Sequence, residues 1–495
     1  STEVIEISIE GITEEIIVEG FRSGTASALN QQRAADTVTS VVSADAIGAL
    51  PDNNVAEALQ RVPGVFLERD QGEGRYIGIR GIDPNLNTTT INGLLVPAPD
   101  SGARSDALDV IPSDLLEGLE VTNTFTPDMD LSAVGGNVNV RALSASDRGP
   151  SSLSLSAEGS YNELVEETIP KLAATWTSFF VVGSRGDSLG VAGAVSWFDR
   201  DLGSDNIETD GGWPSDLKTV GGQEFKGAEE IEQRSYSINR ERLGIALNFD
   251  YHSDRGRYYW RNLYSDFSDQ EFRTRNEYKF DDGTAVSGSD RSATWQDATV
   301  EKSMKDRLEE QTIISSIIGG ENYLDLWTID YSYGYSFSRE KEPKRLDTTF
   351  AVEEVLIGYT DIGQKPELFA SEPVFVAESF ALDEFEWLDG KAEDEAHNVK
   401  LNVTRDLHGA YSGDVKFGLS YRAREKTYDA DVEIFGGPDD TTLTPFEARP
   451  PRYSIGQFGP GINAGSVRSF FDQNRNSLEL DEGDTLAASN VANYE

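Results

Sequence analysis

Residues able to do chemistry are scarce in this chain. It has 495 residues, no cysteine and three histidines, His252, His397 and His408. Without thiols there are no disulfides, no thiolate metal sites and no cysteine nucleophile. Three histidines so far apart in sequence do not suit a zinc site or a histidine-based triad. The expectation is a protein that is not an enzyme, with no cofactor and no resident metal. The nearest approach to a cation site is Asp472-Gln473-Asn474-Arg475-Asn476, with Glu479, Asp481 and Asp484 nearby. Oxygen ligands alternate there much as in a calcium loop. Ser477 stands where such a loop needs glycine, and the last ligand is out of register, so a solvated acidic loop is the simpler reading. Gln71-Gly72-Glu73-Gly74 has the glycines of a phosphate cradle but neither its lysine nor its helix start.

Charge and hydropathy narrow the class. The formal net charge is −44, which disfavours nucleic acid because a phosphate backbone would be repelled. Such a surface tolerates cations and neutral ligands. Hydrophobic residues make up 38%, and no run approaches the roughly 18 apolar residues of a membrane helix. Two classes remain: a soluble β-rich protein, or a membrane β-barrel, whose alternating strands leave little hydropathy signal. The chain opens on Ser1 rather than Met, as a processed or trimmed form would, so the lack of a leader does not argue against export.

The clearest elements lie between Asp52 and Gly93. Val55, Ala58, Leu59 and Val62 fall at helical spacing, Asp52 is a suitable N-cap, and Pro63-Gly64 stops the helix. A strand is expected over Val65–Leu67, then a Gly-rich turn at 71–74, then a strand from Tyr76 to Ile82. Thr88–Ile91 meets the hairpin pair Asn92-Gly93. Upstream, a β-branched run over 36–42 leads into Ser43 as the N-cap of a short helix closed by Pro51. Downstream, a short helix is expected from Pro112 and a strand at Leu119–Val121, and Gly135–Val140 closes the unit. Together these make a compact α+β unit.

From Ser151 alternation takes over. Leu153, Leu155, Ala157, Gly159 and Tyr161 alternate with polar residues, as do 189–197 and 243–251. The runs 170–182, 257–268, 302–317, 322–338, 396–407 and 413–428 are also strand-like. That makes about nine strands of roughly ten residues, the length of a tilted strand crossing a bilayer. Short turns are expected at 184–187, 253–256, 319–322 and 407–413. Long polar segments lie at about 201–240, 271–300 and 341–395, with a shorter one at 162–169. Short and long alternate throughout, as outer-membrane barrels do. The tail from about Ala430 reads as another outer loop. Nine strands do not close a plugged barrel of about 22, and an open edge cannot stand in lipid. The chain is therefore expected to be the N-terminal part of a longer protein. Trp213, Trp295, Tyr278 and Tyr359 fall in the outer segments, where rings could stack on sugars or pack the loops; Trp213 and Trp295 are the substrate-binding candidates.

VAEALQRVPGV, RYIGIRGI and TINGL, in this order and spacing, closely resemble the plug domain of TonB-dependent outer-membrane receptors. The DQGEGR insertion is most similar to the proteobacterial subgroup linked to oligosaccharide uptake. The resemblance implies an N-terminal segment 1–30, an α+β plug over 31–145, and over 146–495 the incomplete first part of an antiparallel transmembrane β-barrel with extracellular loops. It implies a TonB box at Glu14-Glu15-Ile16-Ile17-Val18, an exposed segment able to add as a strand to a partner's sheet. Glu3-Val4-Ile5-Glu6-Ile7 competes, and the Gly20-Phe21-Arg22 that follows favours the second run. It also implies charged contacts between plug and barrel wall, with Glu73, Arg75, Arg80 and Glu120 as candidates against ordinary surface charge. The implied function is TonB-dependent uptake of a scarce substrate across the bacterial outer membrane, an oligosaccharide first and a ferric siderophore second. The implied partners are TonB, outer-membrane lipid and an extracellular small ligand, with no nucleic acid. A passive porin would not need the plug. A transducer that also signals would carry an extra N-terminal domain. A non-transporting β-rich surface binding protein is the alternative from a different class.

Overall fold

The computed structural model describes residues 4–9, 12–17, 20–43, 54–100, 104–105, 107–127, 129, 132–145, 151–163, 165–183, 186–209, 216–362, 366–408 and 413–494. Val18, Asp52, Trp213 and the short helix expected after Ser43 lie outside them. The chain begins with a hairpin of β1 (Val4–Ile9) and β2 (Ile12–Ile17), in which Val4 faces Ile17 and Ile9 faces Ile12. The two acidic-aliphatic runs thus pair with each other. Helix α1 (Gly20–Ala34) follows.

The next unit is built on β3 (Thr39–Ser43), α2 (Val55–Leu59), β4 (Val65–Asp70), β5 (Glu73–Ile79), β6 (Thr88–Ile91), β7 (Leu94–Leu95), β8 (Leu116–Thr122) and β9 (Asn137–Ala142). Helix α2 buries Val55, Ala56, Ala58 and Leu59. Its N-cap is Asn54, whose side chain accepts from the Glu57 N–H at 2.9 Å. Capping satisfies one of the helix's free N–H groups. Gln71 and Gly72 have φ of 42° and 89°, and Asn92 and Gly93 have 53° and 79°. Both pairs close two-residue hairpins in the doubly left-handed conformation that matches strand twist. The helix expected from Pro112 is a single 3-10 turn, Ser113–Leu115, because β8 starts at once. Five strands form one sheet in the order β3-β8-β9-β6-β7, with β6 and β9 parallel.

The rest is a long antiparallel meander. Its members are β10 (Ser152–Asn162), β11 (Glu167–Val182), β12 (Asp187–Glu208), β15 (Glu230–Ser253), β16 (Gly256–Lys279), β18 (Ala293–Leu324), β19 (Trp327–Thr360), β21 (Ala381–Leu407) and β22 (Gly413–Gly436), each paired with the next. Short strands decorate the outer connections: the hairpin β13 (Asp216–Val220) and β14 (Gln223–Gly227), then β17 (Thr284–Gly288) on β18 and β20 (Glu367–Ala370) on β19. The sheet does not close, since β10 and β22 are its two edges. After β22 come β23 (Glu447–Ala448), β24 (Gly461–Ile462), α3 (Ala464–Asn474) and α4 (Glu482–Tyr494). The acidic run from Asp472 is therefore helical rather than a loop: Asp472 to Asn474 end α3, and Arg475–Ser477 continue as a 3-10 turn.

Two sequence expectations need correction. The turn expected at 319–322 lies instead at Asp325-Leu326, between β18 and β19. Gly319 and Gly320 stay in the strand because neighbours fill the space of their missing side chains. A Cβ would meet the Tyr259 hydroxyl at 2.5 Å in the first and Tyr258 Cδ1 at 2.7 Å in the second. The long polar segments are also mostly strand: β19 alone has 34 residues, roughly 110 Å of extended chain. Only about ten residues are needed to cross the bilayer, so most of the sheet stands outside it. There both faces carry polar or loop-covered residues, and the composition mimics loops.

Burial divides each strand. Near the short turns the outward face exposes large apolar side chains, among them Leu155 (73%), Leu247, Trp260, Leu401 and Leu419 (78%). That is a lipid-facing belt with aromatics at its border. On the opposite face Ala192, Ala194, Ala246, Leu263 and Phe267 join the core that contains α2 and the five-stranded sheet. Farther out, a second core gathers Trp295, Phe350, Phe385, Phe446 and Phe471 between the strand ends, their loops and the tail. Leu247→Arg should cost about 2–4 kcal/mol, the penalty for arginine on the lipid face near the bilayer middle. The full-length protein refolded into vesicles and titrated with denaturant will report it.

Candidate functional site

The charged groups between the small sheet unit and the wall converge on Glu73, the first residue of β5. Glu73 is 4% exposed. Its Oε2 accepts from Arg240 Nη1 at 3.0 Å and Arg242 Nη2 at 2.5 Å, and its Oε1 accepts from Arg200. The three arginines belong to the wall. Register places Arg200 directly opposite Arg240 on β12 and β15, and Arg242 lies on the same face one pleat repeat along. Like charges facing each other across strands repel. Here one carboxylate bridges all three.

Other carboxylates complete the balance. Arg240 is fully buried and also donates to Asp269 at 2.6 Å, Asp70 at 3.1 Å and Gln71 at 2.9 Å. Arg242 donates its Nε to the Asp109 carbonyl at 2.8 Å and lies 4.9 Å over the Phe267 ring. Arg75, two residues past Glu73, donates to Asp70 at 3.3 Å and reaches the wall at Glu309 at 3.2 Å. Away from this ring, Lys171 pairs with Asp114 at 3.1 Å, Ser265 donates to the Val110 carbonyl at 2.7 Å, and Ser336 donates to the Leu95 carbonyl at 3.0 Å. Burial pushes the Glu73 carboxyl up, but Arg242, Arg240 and Arg200 together pull it down, well below the usual carboxylate range. At Asp109 burial outweighs the pull of Arg75, Arg242 and Arg240, and its carboxyl is raised.

The expected contact residues divide. Glu73 and Arg75 meet the wall. Among the described residues Arg80 and Glu120 do not, and their assignment to the wall is corrected. Arg80 has φ of 57° at the end of β5, which turns its guanidinium back onto the Gly135 carbonyl at 2.6 Å. Glu120 sits in β8 beside β9 and pairs with Arg141 at 3.3 Å and Asn139 at 3.0 Å. Trp295 is 1% exposed and packs against Phe280 at 4.6 Å, Tyr359 at 5.5 Å and Phe225 at 6.2 Å. It offers no free face to a sugar, and neither do Tyr278 and Tyr359, both buried. The wall arginines were not singled out from sequence. Arg200 and Arg240 are forty positions apart, and only strand register brings them together.

Glu73→Gln should destabilise the assembly by roughly 3–5 kcal/mol, because it leaves buried guanidiniums without their counter-ion. The Glu73 carboxyl is depressed in the folded state, so its stabilisation is complete above the ordinary glutamate value of 4.5 and is lost as pH falls through the folded value. The stability gap between wild type and Glu73→Gln should therefore be constant at neutral pH and shrink below about pH 4.5. Denaturant titration of the detergent-solubilised protein across pH checks both expectations.

Residues 31–137 match the family model of the TonB-dependent Receptor Plug Domain. No curated protein sequence matches the chain. Among solved structures, the ferric citrate transporter FecA in its unliganded form is 11% identical over 83% of this chain and 80% of that one, with a TM-score of 0.30. A mutant ferric enterobactin receptor PfeA from Pseudomonas aeruginosa is 12% identical, over 85% and 75%, with a TM-score of 0.35. The siderophore receptor PiuA from Acinetobacter baumannii is 12% identical, over 82% of this chain, which spans only 63% of that receptor, with a TM-score of 0.29. Superpositions this loose carry no argument of their own. The weight rests on the plug match and on its seat beside strands that carry a lipid-facing belt, and these place the chain in the bacterial outer membrane. Residues 31–137 are thus similar to the plug domains of TonB-dependent receptors.

Proposed function

We propose that this chain carries out energised uptake across the outer membrane as part of a TonB-dependent transporter, and that it has no catalytic centre. The observation that carries the reading is a plug carboxylate, Glu73, held inside a ring of three wall arginines. Such a plug is neither loose nor covalently fixed. It is retained by ion pairs and hydrogen bonds that a pull can break and the next cycle can remake. Glu73 and Arg75 act as the lock. Ligand binding at the outer face alters the plug, and TonB takes hold of the N-terminal segment from the other side.

The segment Glu14 to Val18 suits that contact. Ile12–Ile17 is extended and paired with Val4–Ile9. Adding it to a partner's sheet exchanges one strand neighbour for another, with main-chain hydrogen bonds conserved. The substrate stays open between two classes. An oligosaccharide follows from the DQGEGR resemblance alone. A ferric siderophore stands beside it as the second reading within the same class of transporter.

Prolines at both Ile16 and Val18 in the full-length protein should abolish uptake while leaving ligand binding intact, because proline cannot donate to a strand ladder. Uptake of labelled glycans and ferric siderophores, with and without TonB, tests this. Normal uptake in the double variant would remove the TonB-box assignment.

A further inference from the structure

One row of inner-wall residues holds two cations that make no ion pair among the described residues. Register sets Tyr236, Arg273, Lys305, Asp347 and Glu386 side by side on β15, β16, β18, β19 and β21. Arg273 lies four residues beyond Asp269, and Lys305 four residues before Glu309. Asp269 and Glu309 are residues of the plug ring, so Arg273 and Lys305 share their face. They sit about 13 Å farther from the short turns, on the side from which a ligand arrives.

The neighbouring arginines have carboxylates. Arg275 pairs with Glu232 at 2.8 Å and Glu277 at 2.9 Å, Arg307 with Glu309 at 2.9 Å, Arg345 with Asp347 at 2.5 Å, and Arg234 with Glu208 at 2.6 Å. Among the described residues Arg273 and Lys305 make no ion pair or hydrogen bond, although they are direct cross-strand partners. Arg273 Nε is buried and has no acceptor. Burial pushes Lys305 down to about 8, and the nearby Arg345 adds to the effect. Burial likewise lowers Arg273. Asp347, next in the row, attracts both, but its carboxylate is held by Arg345, so neither cation has an ion pair of its own and an incoming anion can supply one.

We propose that Arg273 and Lys305, with the Tyr236 hydroxyl beside them, form an inner-wall subsite for a carboxylate-bearing ligand. The proposal rests on the uptake reading and narrows its substrate class. A uronic-acid oligosaccharide and a ferric carboxylate chelate present the same chemistry. Two cations on adjacent strands suit a two-oxygen anion, and charge-assisted hydrogen bonds are the strong ones.

The test is titration of the full-length protein in detergent at low salt with oligogalacturonate, ferric citrate and neutral maltohexaose. Wild type should prefer at least one carboxylate probe to maltohexaose, and which one it prefers identifies the source. Arg273→Gln and Lys305→Gln should each weaken that binding on the order of tenfold, and Lys305→Glu should abolish it. Thermal stability of the Gln variants should stay near that of wild type, because neither change breaks an ion pair. The proposal is overturned by equal affinity for all three probes, by no binding of either carboxylate probe, by unchanged affinity in the variants, or by Gln variants that lose stability together with binding. Carboxylate binding accompanied by uptake that ignores TonB would instead overturn the transport reading and leave the subsite standing.

Discussion

Three arginines gathered on one patch of a buried sheet need an anion, and the sheet does not supply enough of its own. Arg200 and Arg240 face each other directly, with Arg242 beside them. Asp269 balances part of Arg240. The remainder is met from the plug, by Glu73 and Asp70. Wall and plug are therefore each incomplete alone. The local geometry of β5 follows from this need. The left-handed turn at Gln71 and Gly72 sends the chain back so that Glu73 opens the strand on the wall side. Gly74 then lets α2 and β4 close in, since a Cβ there would meet Leu67 Cδ1 at 2.8 Å.

The same strands serve three environments in succession. Beside the short turns one face meets lipid and the other meets the plug. At the level of Glu73 the inner face becomes charged. Beyond it the outer face is covered by loops and tail around Trp295, Phe350 and Phe471. Alternation survives along the whole length, but its meaning changes with height. A register shift in β19 between Glu342 and Arg345 exchanges the two faces partway up, so residue parity alone cannot assign inside and outside from end to end.

Local patterns were readable and distant ones were not. Helix α2, the turns at Gln71-Gly72 and Asn92-Gly93, and a run of nine paired strands follow from spacing and turn residues within a few positions of each other. The Gly319-Gly320 pair resembled a turn because glycine marks both turns and close packing, and only the neighbouring tyrosines tell them apart. The outer strand extensions resembled loops because a sheet with water or loops on both faces loses its apolar alternation. Among the charged plug residues, sequence could not separate Glu73 and Arg75, which face the wall, from Arg80 and Glu120, which face their own sheet. That distinction depends on a left-handed residue and on strand order. The arginine ring and the Arg273–Lys305 pair depend on register between distant segments, which no local motif encodes.

The height of the strands has one more consequence. At physiological ionic strength, charges across water are screened within about 8 Å, whereas the unpaired cations lie about 13 Å from the Glu73 ring. An anion at Arg273 and Lys305 therefore lies beyond contact with the ring, and its field there is weakened by distance, since salt screens buried groups less. Choosing a ligand and holding the gate thus become separable problems for this architecture. The upper rows of the wall are free to exchange side chains without unseating what lies beneath.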